Sequence, residues 1–193
     1  MQRHTLYIAA AALLSVAAPA AAQYTNKGME FVEAVRSSNG NKVVELLQDR
    51  PVGLLDSRAE DGDTALVIAL ARRDSEWTGF LLNNGADPEL PGKDGNTPLI
   101  AAAKAGFLDG SGWLLGLNVK VDATNKAGET ALIHAVQQRQ PRIVQALLKS
   151  GADPDKTDHI AGLSARDYAA RDPRARDILK MMESKTPKAA LKF

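Results

Sequence analysis

Apolar residues recur along this chain at an interval of 33 residues. Three leucine pairs follow one another at that interval: Leu81-Leu82, Leu114-Leu115 and Leu147-Leu148. Each pair lies in a short stretch whose apolar spacing is typical of a helix with one buried face. A fixed period of this length indicates a repeat array, in which neighbouring units bury one another's apolar faces. The pattern therefore predicts stacked helical units.

Polar residues keep the same register. Thr64, Thr97 and Thr130 are spaced by 33 residues, and Ser164 follows Thr130 after 34. A glycine precedes each of them by two positions, which favours a tight turn because glycine adopts positive φ without strain. A Thr or Ser hydroxyl at this point caps a helix by accepting a backbone N–H. These residues predict that one helix of each unit starts directly after the hydroxyl.

The second helix of each unit should end just after its leucine pair. Gly85, Asn118 and Gly151 stand at the same distance beyond the three pairs, and both residue types tolerate the left-handed conformation past a helix end. Two glycines, Gly110 and Gly112, fall inside one second helix. Each is expected to weaken that helix by about 1 kcal/mol relative to alanine.

Two tryptophans and a proline also fall on predicted second helices. Trp77 and Trp113 occupy positions where the pattern predicts core packing, although an exposed tryptophan there would instead mark a binding hot spot. Pro141 stands where a second helix should begin. That position suits proline, because the first helical residue has no intrahelical N–H bond to lose.

The segment 97–102, with the sequence Thr-Pro-Leu-Ile-Ala-Ala, and the 33-residue period resemble the ankyrin repeat. The resemblance covers about residues 57–183 and implies an all-α solenoid of about five helix-turn-helix repeats, joined by short hairpin-like fingers. The chain then divides into a degenerate N-terminal capping repeat (23–56), three ankyrin repeats (57–90, 91–123 and 124–156), a C-terminal capping repeat (157–183) and a flexible basic tail (184–193). We number the five repeats in that order.

Residues 1–22 have the pattern of a secretory signal peptide. Arg3 gives a basic start, an apolar run follows from Leu6 to Ala18, and three alanines precede Gln23. The alternative is an uncleaved membrane anchor, but the run is shorter than the roughly 20 residues that cross a bilayer. We expect cleavage before Gln23 and export of a chain without stable membrane insertion.

Composition narrows the function further. The 24 basic and 23 acidic side chains give a formal net charge of +1, which disfavours nucleic-acid binding because no excess of positive charge is available to neutralise phosphates. The chain contains no cysteine, so it can form neither a disulfide nor a thiolate metal site. The predicted array must therefore be held together by packing.

Few residues suggest chemistry. His134 is expected on a first helix, facing the groove as a solvated or partner-contacting residue, and His159 at a turn tip. Their spacing does not fit a metal site, and the glycines of segment 110–116 do not fit the dinucleotide-binding frame. The carboxylates at the turns are expected to be solvated, without the closed pocket that acid–base catalysis needs. We therefore expect no catalytic residue, metal or cofactor.

The ankyrin resemblance implies a monomeric scaffold that binds a protein through its concave groove and finger tips. The candidate contacts lie at the turns and on the first helices of repeats two to four. They are Asp61, Asp63, Ile68, Arg72, Lys93, Asp94, Asn96, Ala101, Ala105, Lys126, Glu129, His134 and Gln138.

The segments 31–36 and 165–169 also resemble those of short exported ankyrin-repeat proteins from Gram-negative bacteria. This second resemblance implies a periplasmic location. Some members of that group are associated with oxidative-stress defence. The resemblance thus leaves an alternative function open, a small-molecule or stress-protective binder that supports a periplasmic enzyme such as an antioxidant enzyme.

Overall fold

A computed structural model describes residues 20–48 and 52–183. The predicted signal segment up to residue 19 and the predicted tail (184–193) lie outside these residues. Within them, short turns connect ten helices: α1 (Ala20–Arg36), α2 (Gly40–Gln48), α3 (Ala65–Ala71), α4 (Ser75–Asn83), α5 (Pro98–Ala105), α6 (Leu108–Gly116), α7 (Ala131–Gln137), α8 (Pro141–Lys149), α9 (Ala165–Arg171) and α10 (Arg176–Glu183). The backbone of α1 runs across the predicted cleavage position before Gln23.

The helices form five consecutive pairs that stack in a row. The first helices contact one another in series, α1 with α3, α3 with α5, α5 with α7 and α7 with α9. The second helices from α4 to α10 do the same. Contacts thus run from each repeat to the next, which is the arrangement of a solenoid. The predicted all-α repeat solenoid is confirmed.

Hydroxyl caps start the first helices of repeats two to five, as predicted. Thr64, Thr97 and Thr130 each accept the backbone N–H three residues further on, at 3.2–3.3 Å. Ser164 accepts the N–H of Asp167 at 3.1 Å, and the Asp167 carboxylate accepts the N–H of Ser164 at 2.9 Å. Each cap contributes about 1 kcal/mol, so local turn chemistry sets where the first helix of each of these repeats begins.

The second helices also end as predicted. Gly85, Asn118 and Gly151 follow α4, α6 and α8 with φ values of 94°, 56° and 92°. This left-handed conformation turns the chain towards the next repeat. The turns before the caps form hairpin-like fingers, and an isolated antiparallel bridge closes three of them: Arg58 with Thr64, Thr124 with Thr130, and Thr157 with Ser164.

The core is a continuous apolar layer between the two rows of helices. Leu81, Leu114 and Leu147, the first members of the predicted leucine pairs, are completely buried. Ala102 and Ala135 are equally buried on first helices, where small side chains allow neighbouring helices to approach closely. Among the described residues, no helix combines the length and the apolar character needed to cross a bilayer.

The two glycines of α6 differ in the space around them, although the sequence predicted the same loss of helix stability for both. A Cβ atom on Gly110 would lie 2.5 Å from Cδ1 of Phe107 and 2.8 Å from Cδ2 of Leu70, whereas one on Gly112 would meet nothing within 4 Å. Gly110 therefore permits the close packing of α6 against its neighbours. For Gly110 the predicted loss relative to alanine is wrong, because alanine does not fit at that position.

The two tryptophans also differ. Trp77 is partly buried against the core and packs edge-on against Phe80, with ring centroids 5.5 Å apart. Trp113 contacts Phe107 at 6.0 Å but is 41% exposed. The prediction of core packing for Trp113 is wrong, because a large part of this side chain lies on the surface of the array.

Candidate functional site

The fingers and the first helices together form one surface. The fingers are the loops 58–64, 91–97, 124–130 and 157–164, which precede α3, α5, α7 and α9. Side chains of α1 and of the first finger, among them Glu33 and Asp61, line a common hollow. On α7, His134 lies 3.2 Å from Glu129 of its own finger. We call this surface the finger face.

A ladder of hydrogen bonds joins each finger to the one before it. The backbone N–H of Lys93 donates to the Asp63 carboxylate at 2.7 Å. The N–H of Lys126 donates to the carbonyl of Asp94 at 2.9 Å, and the N–H of His159 to the carbonyl of Ala127 at 2.8 Å. The ladder holds the four fingers in fixed positions relative to one another.

Several predicted contact residues form hydrogen bonds to a neighbouring repeat instead of projecting freely into solvent. The Asp63 carboxylate is a rung of the ladder, and the Asn96 side-chain oxygen accepts a hydrogen bond from Asn125 at 3.1 Å. Arg72 donates to the carbonyl of Arg36 and to the Ser38 hydroxyl, both in repeat one. Deleting these side chains would disturb the stacking itself.

Asp61 is exposed but already has a charged partner. Its carboxylate accepts a hydrogen bond from the Arg36 guanidinium at 2.8 Å. The backbone N–H of Asp63 and the guanidinium of Arg36 lower the pKa of Asp61. Asp61 is therefore exposed to solvent, as expected, and α1 adds a cationic partner across the repeat boundary, which the sequence did not indicate.

Three of the predicted contacts are buried among neighbouring helices. Ile68, Ala101 and His134 occupy the same position of α3, α5 and α7, and their exposed fractions are 7%, 6% and 6%. Ala105 is partly buried. The prediction that His134 is a solvated residue is wrong, because the adjoining finger and helices cover this face of α7.

His134 has an acidic neighbour but no well-formed hydrogen bond at Nε2. The Nε2 atom lies 3.2 Å from Oε2 of Glu129, yet it makes no hydrogen bond within the described part of the chain. The Glu129 carboxylate accepts one from the Asn125 amide at 2.9 Å. Burial lowers the pKa of His134, Glu129 raises it, and Lys104 lowers it further. Together these effects lower the pKa of His134, which favours the uncharged ring at neutral pH.

Acidification is expected to destabilise the chain through His134. Because the folded pKa lies below the unfolded value of about 6.5, the unfolded chain takes up the proton first. The stability that the neutral ring contributes is complete above that pH and is lost as the pH falls through the folded pKa. Urea unfolding at about pH 7.5 and about pH 5.5 measures this loss. The free energy of unfolding should differ less between the two pH values for His134→Ala than for the wild type. A pH-dependent difference in His134→Ala as large as that of the wild type would contradict the assignment.

The remaining predicted contacts are exposed. Lys93, Asp94, Lys126 and Gln138 lie on the surface, and the three charged side chains make no ion pair with other described residues. Lys104, which the sequence analysis missed, is also exposed at the end of α5 and reaches His134 electrostatically. Its signal in the sequence was its place one helical turn after Ala101, on the same face of the helix.

The last finger (157–164) holds residues that the sequence analysis also missed. The buried Asp158 accepts hydrogen bonds from three backbone N–H groups of the finger and from the Tyr168 hydroxyl. Burial of this carboxylate acts to raise its pKa, but the hydrogen bonds outweigh burial and the pKa of Asp158 is lowered. An aspartate at the base of a turn could have indicated this role.

The stacked helix pairs and the fingers between them define a helical-repeat protein. A family model described as ankyrin repeats (3 copies) matches residues 31–125 and residues 80–158. The chain belongs to the ankyrin-repeat family, as the resemblance predicted. Ankyrin repeats generally mediate protein–protein interactions. A comparison with curated proteins finds no match for this chain.

Proposed function

We propose that this chain is a non-catalytic scaffold that binds a protein partner through the finger face. The observation that carries the proposal is a set of exposed charged side chains that form no ion pair with any described residue: Lys93, Asp94, Lys104 and Lys126. Three of them lie on fingers that the hydrogen-bond ladder joins, and Lys104 lies at the end of α5. Charged groups on a rigid surface favour association with a complementary partner, because they steer the encounter and need little reordering.

The residues with potential catalytic chemistry support a non-catalytic role. A nucleophile needs a base within hydrogen-bond reach and access to substrate. The hydroxyl of Ser111, which stands between Gly110 and Gly112, is buried and donates to the carbonyl of Phe107 at 2.9 Å. His134 is buried beside Glu129, and no hydroxyl of the described residues forms a hydrogen bond with it. Neither residue can serve in a nucleophile–base pair.

We further propose that the scaffold works in the periplasm of a Gram-negative bacterium. This proposal rests on the signal-like pattern of residues 1–22 and on the exported relatives that segments 31–36 and 165–169 resemble. N-terminal sequencing of the chain purified from the periplasmic fraction tests it. A mature chain that starts at Gln23 would support export, and an uncleaved chain that stays in the cytoplasm would overturn it.

Reversing two positive charges of the finger face is expected to weaken partner capture by about tenfold. Acidic groups of the partner that pair with these cations would then face like charges. The variant is Lys104→Glu/Lys126→Glu, used as full-length immobilised bait with extract of the source organism. The captured protein is quantified by mass spectrometry. Glu129 is left unchanged, because its carboxylate bonds Asn125 and lies beside His134.

The matched control is Lys149→Glu/Arg176→Glu, which reverses two exposed cations on α8 and α10. These helices belong to the second row, away from the fingers. Both variants should unfold at temperatures close to that of the wild type. Equal capture by Lys104→Glu/Lys126→Glu and by the wild type would rule out the finger face as the binding surface.

A further inference from the structure

The last finger is one residue longer than those before it. Thr64, Thr97 and Thr130 are 33 residues apart, whereas Ser164 follows Thr130 after 34. The turns before them explain the difference. Three residues separate Asn125 from Glu129, but four separate Asp158 from Leu163, the residues at the corresponding places. The extra residue falls at the tip, in the segment His159-Ile160-Ala161.

A single carboxylate fixes the conformation of this tip. Oδ1 of Asp158 accepts the backbone N–H groups of Ile160, Ala161 and Gly162 at 2.9, 2.6 and 3.2 Å. Oδ2 accepts the Tyr168 hydroxyl at 2.8 Å. Asp158 is only 4% exposed. Its carboxylate is thus largely removed from water, and charge-assisted hydrogen bonds to such a group are strong.

The base of the finger is equally well held. The N–H of Asp158 donates to the carbonyl of Leu163 at 3.0 Å, and the N–H of His159 donates to Ala127 of the preceding finger. The bridge between Thr157 and Ser164 closes the loop. The tip therefore has a defined shape before any partner arrives, which reduces the ordering entropy that binding would otherwise cost.

This rigid tip exposes an aliphatic side chain. Ile160 is 82% exposed, and the bonds on its own N–H and on its two following neighbours prevent the loop from folding the side chain inward. Burying an aliphatic side chain of this size in an apolar pocket is favourable. Single exposed aliphatic residues are common on proteins, but the added residue and the clamp of Asp158 distinguish this one.

We infer that Ile160 is an anchor that inserts into an apolar pocket on the protein partner. Lys126 lies at the tip of the preceding finger, whose Ala127 is bonded to His159. Its ammonium group meets carboxylates at the rim of that pocket. The partner is thus a protein with an apolar pocket for one aliphatic side chain, bordered by acidic residues. This inference rests on the proposed function, and it adds which side chain enters the partner.

The test compares two substitutions of exposed β-branched residues in the full chain. Ile160→Asp is expected to lower capture of the partner at least tenfold, because the carboxylate would be buried in an apolar pocket. Val52→Asp changes a fully exposed residue near the first helix pair and should leave capture unchanged. Ile160→Val should retain most of it. A benzophenone amino acid at position 160 should cross-link to the same captured protein, and one at position 52 should not.

The outcomes separate the inference from the proposed function. Undiminished capture by Ile160→Asp, together with loss in Lys104→Glu/Lys126→Glu, would overturn the anchor alone. Undiminished capture by both variants, or no capture by the wild type, would overturn the finger face as well. Nitrogen-15 relaxation of the free chain gives a partner-free check. The amide of Ile160 should be about as rigid as helical amides, with an order parameter near 0.85, and a value below about 0.6 would contradict the clamp.

Discussion

Replacing Asp158 with alanine is expected to lower the free energy of unfolding by about 3 kcal/mol, because three backbone N–H groups and the Tyr168 hydroxyl lose a charged acceptor. Water can replace part of this bonding, since the tip residues are exposed, and that keeps the loss below the sum of four such bonds. Because each repeat contacts only its neighbours, the loss falls mainly on repeat five. Urea unfolding measures the total, and hydrogen exchange of α9 and α10 localises it.

The matched control is Asp158→Asn. Asn125 stands at the corresponding place in the preceding finger, and its side-chain oxygen accepts the N–H groups of Ala127 and Glu129, both at 3.0 Å. An amide oxygen is therefore sufficient for the turn, and we expect Asp158→Asn to cost about 1 kcal/mol. An alanine variant as stable as the wild type would show that the carboxylate is not the main support of the finger.

The second large effect is expected at Gly128, where alanine should cost about 3 kcal/mol. Gly128 has φ 79°, a conformation that costs a side-chain-bearing residue about 1–2 kcal/mol. A Cβ atom would also lie 2.6 Å from the His159 ring and 2.7 Å from the His159 backbone nitrogen. The ring could rotate, but the backbone is held by its bond to Ala127, so the last finger would have to shift.

Gly151→Ala separates these two contributions. Gly151 has φ 92°, but a Cβ atom there would meet nothing within 4 Å. This variant should therefore lose only about 1–2 kcal/mol through backbone strain. Thermal unfolding of the two variants side by side measures the difference. Equal destabilisation would mean that the contact between the last two fingers contributes nothing.

The sequence predicts the exposure of some residues of the finger face but not the role of others. Lys93, Asp94 and Lys126 were predicted to be exposed contacts, and they are exposed. Whether they touch a partner stays a prediction. Asp63 shares their finger-turn region but serves as a rung between repeats. No pattern within one repeat distinguishes these roles, because the partner of Asp63 is a backbone N–H 30 residues away.

The repeat length, the fold class and the ends of most helices follow from the order of the residues alone. Thr97 and Gly151 carry this information because a cap or a left-handed turn involves groups only a few residues apart. The burial of His134 and the lack of room for a methyl group at Gly110 arise only when the repeats stack. The tertiary structure also shows that Asp158 clamps a finger with an exposed Ile160. These properties depend on how closely stacked repeats approach and on which loop groups converge, which a period read along the chain does not contain.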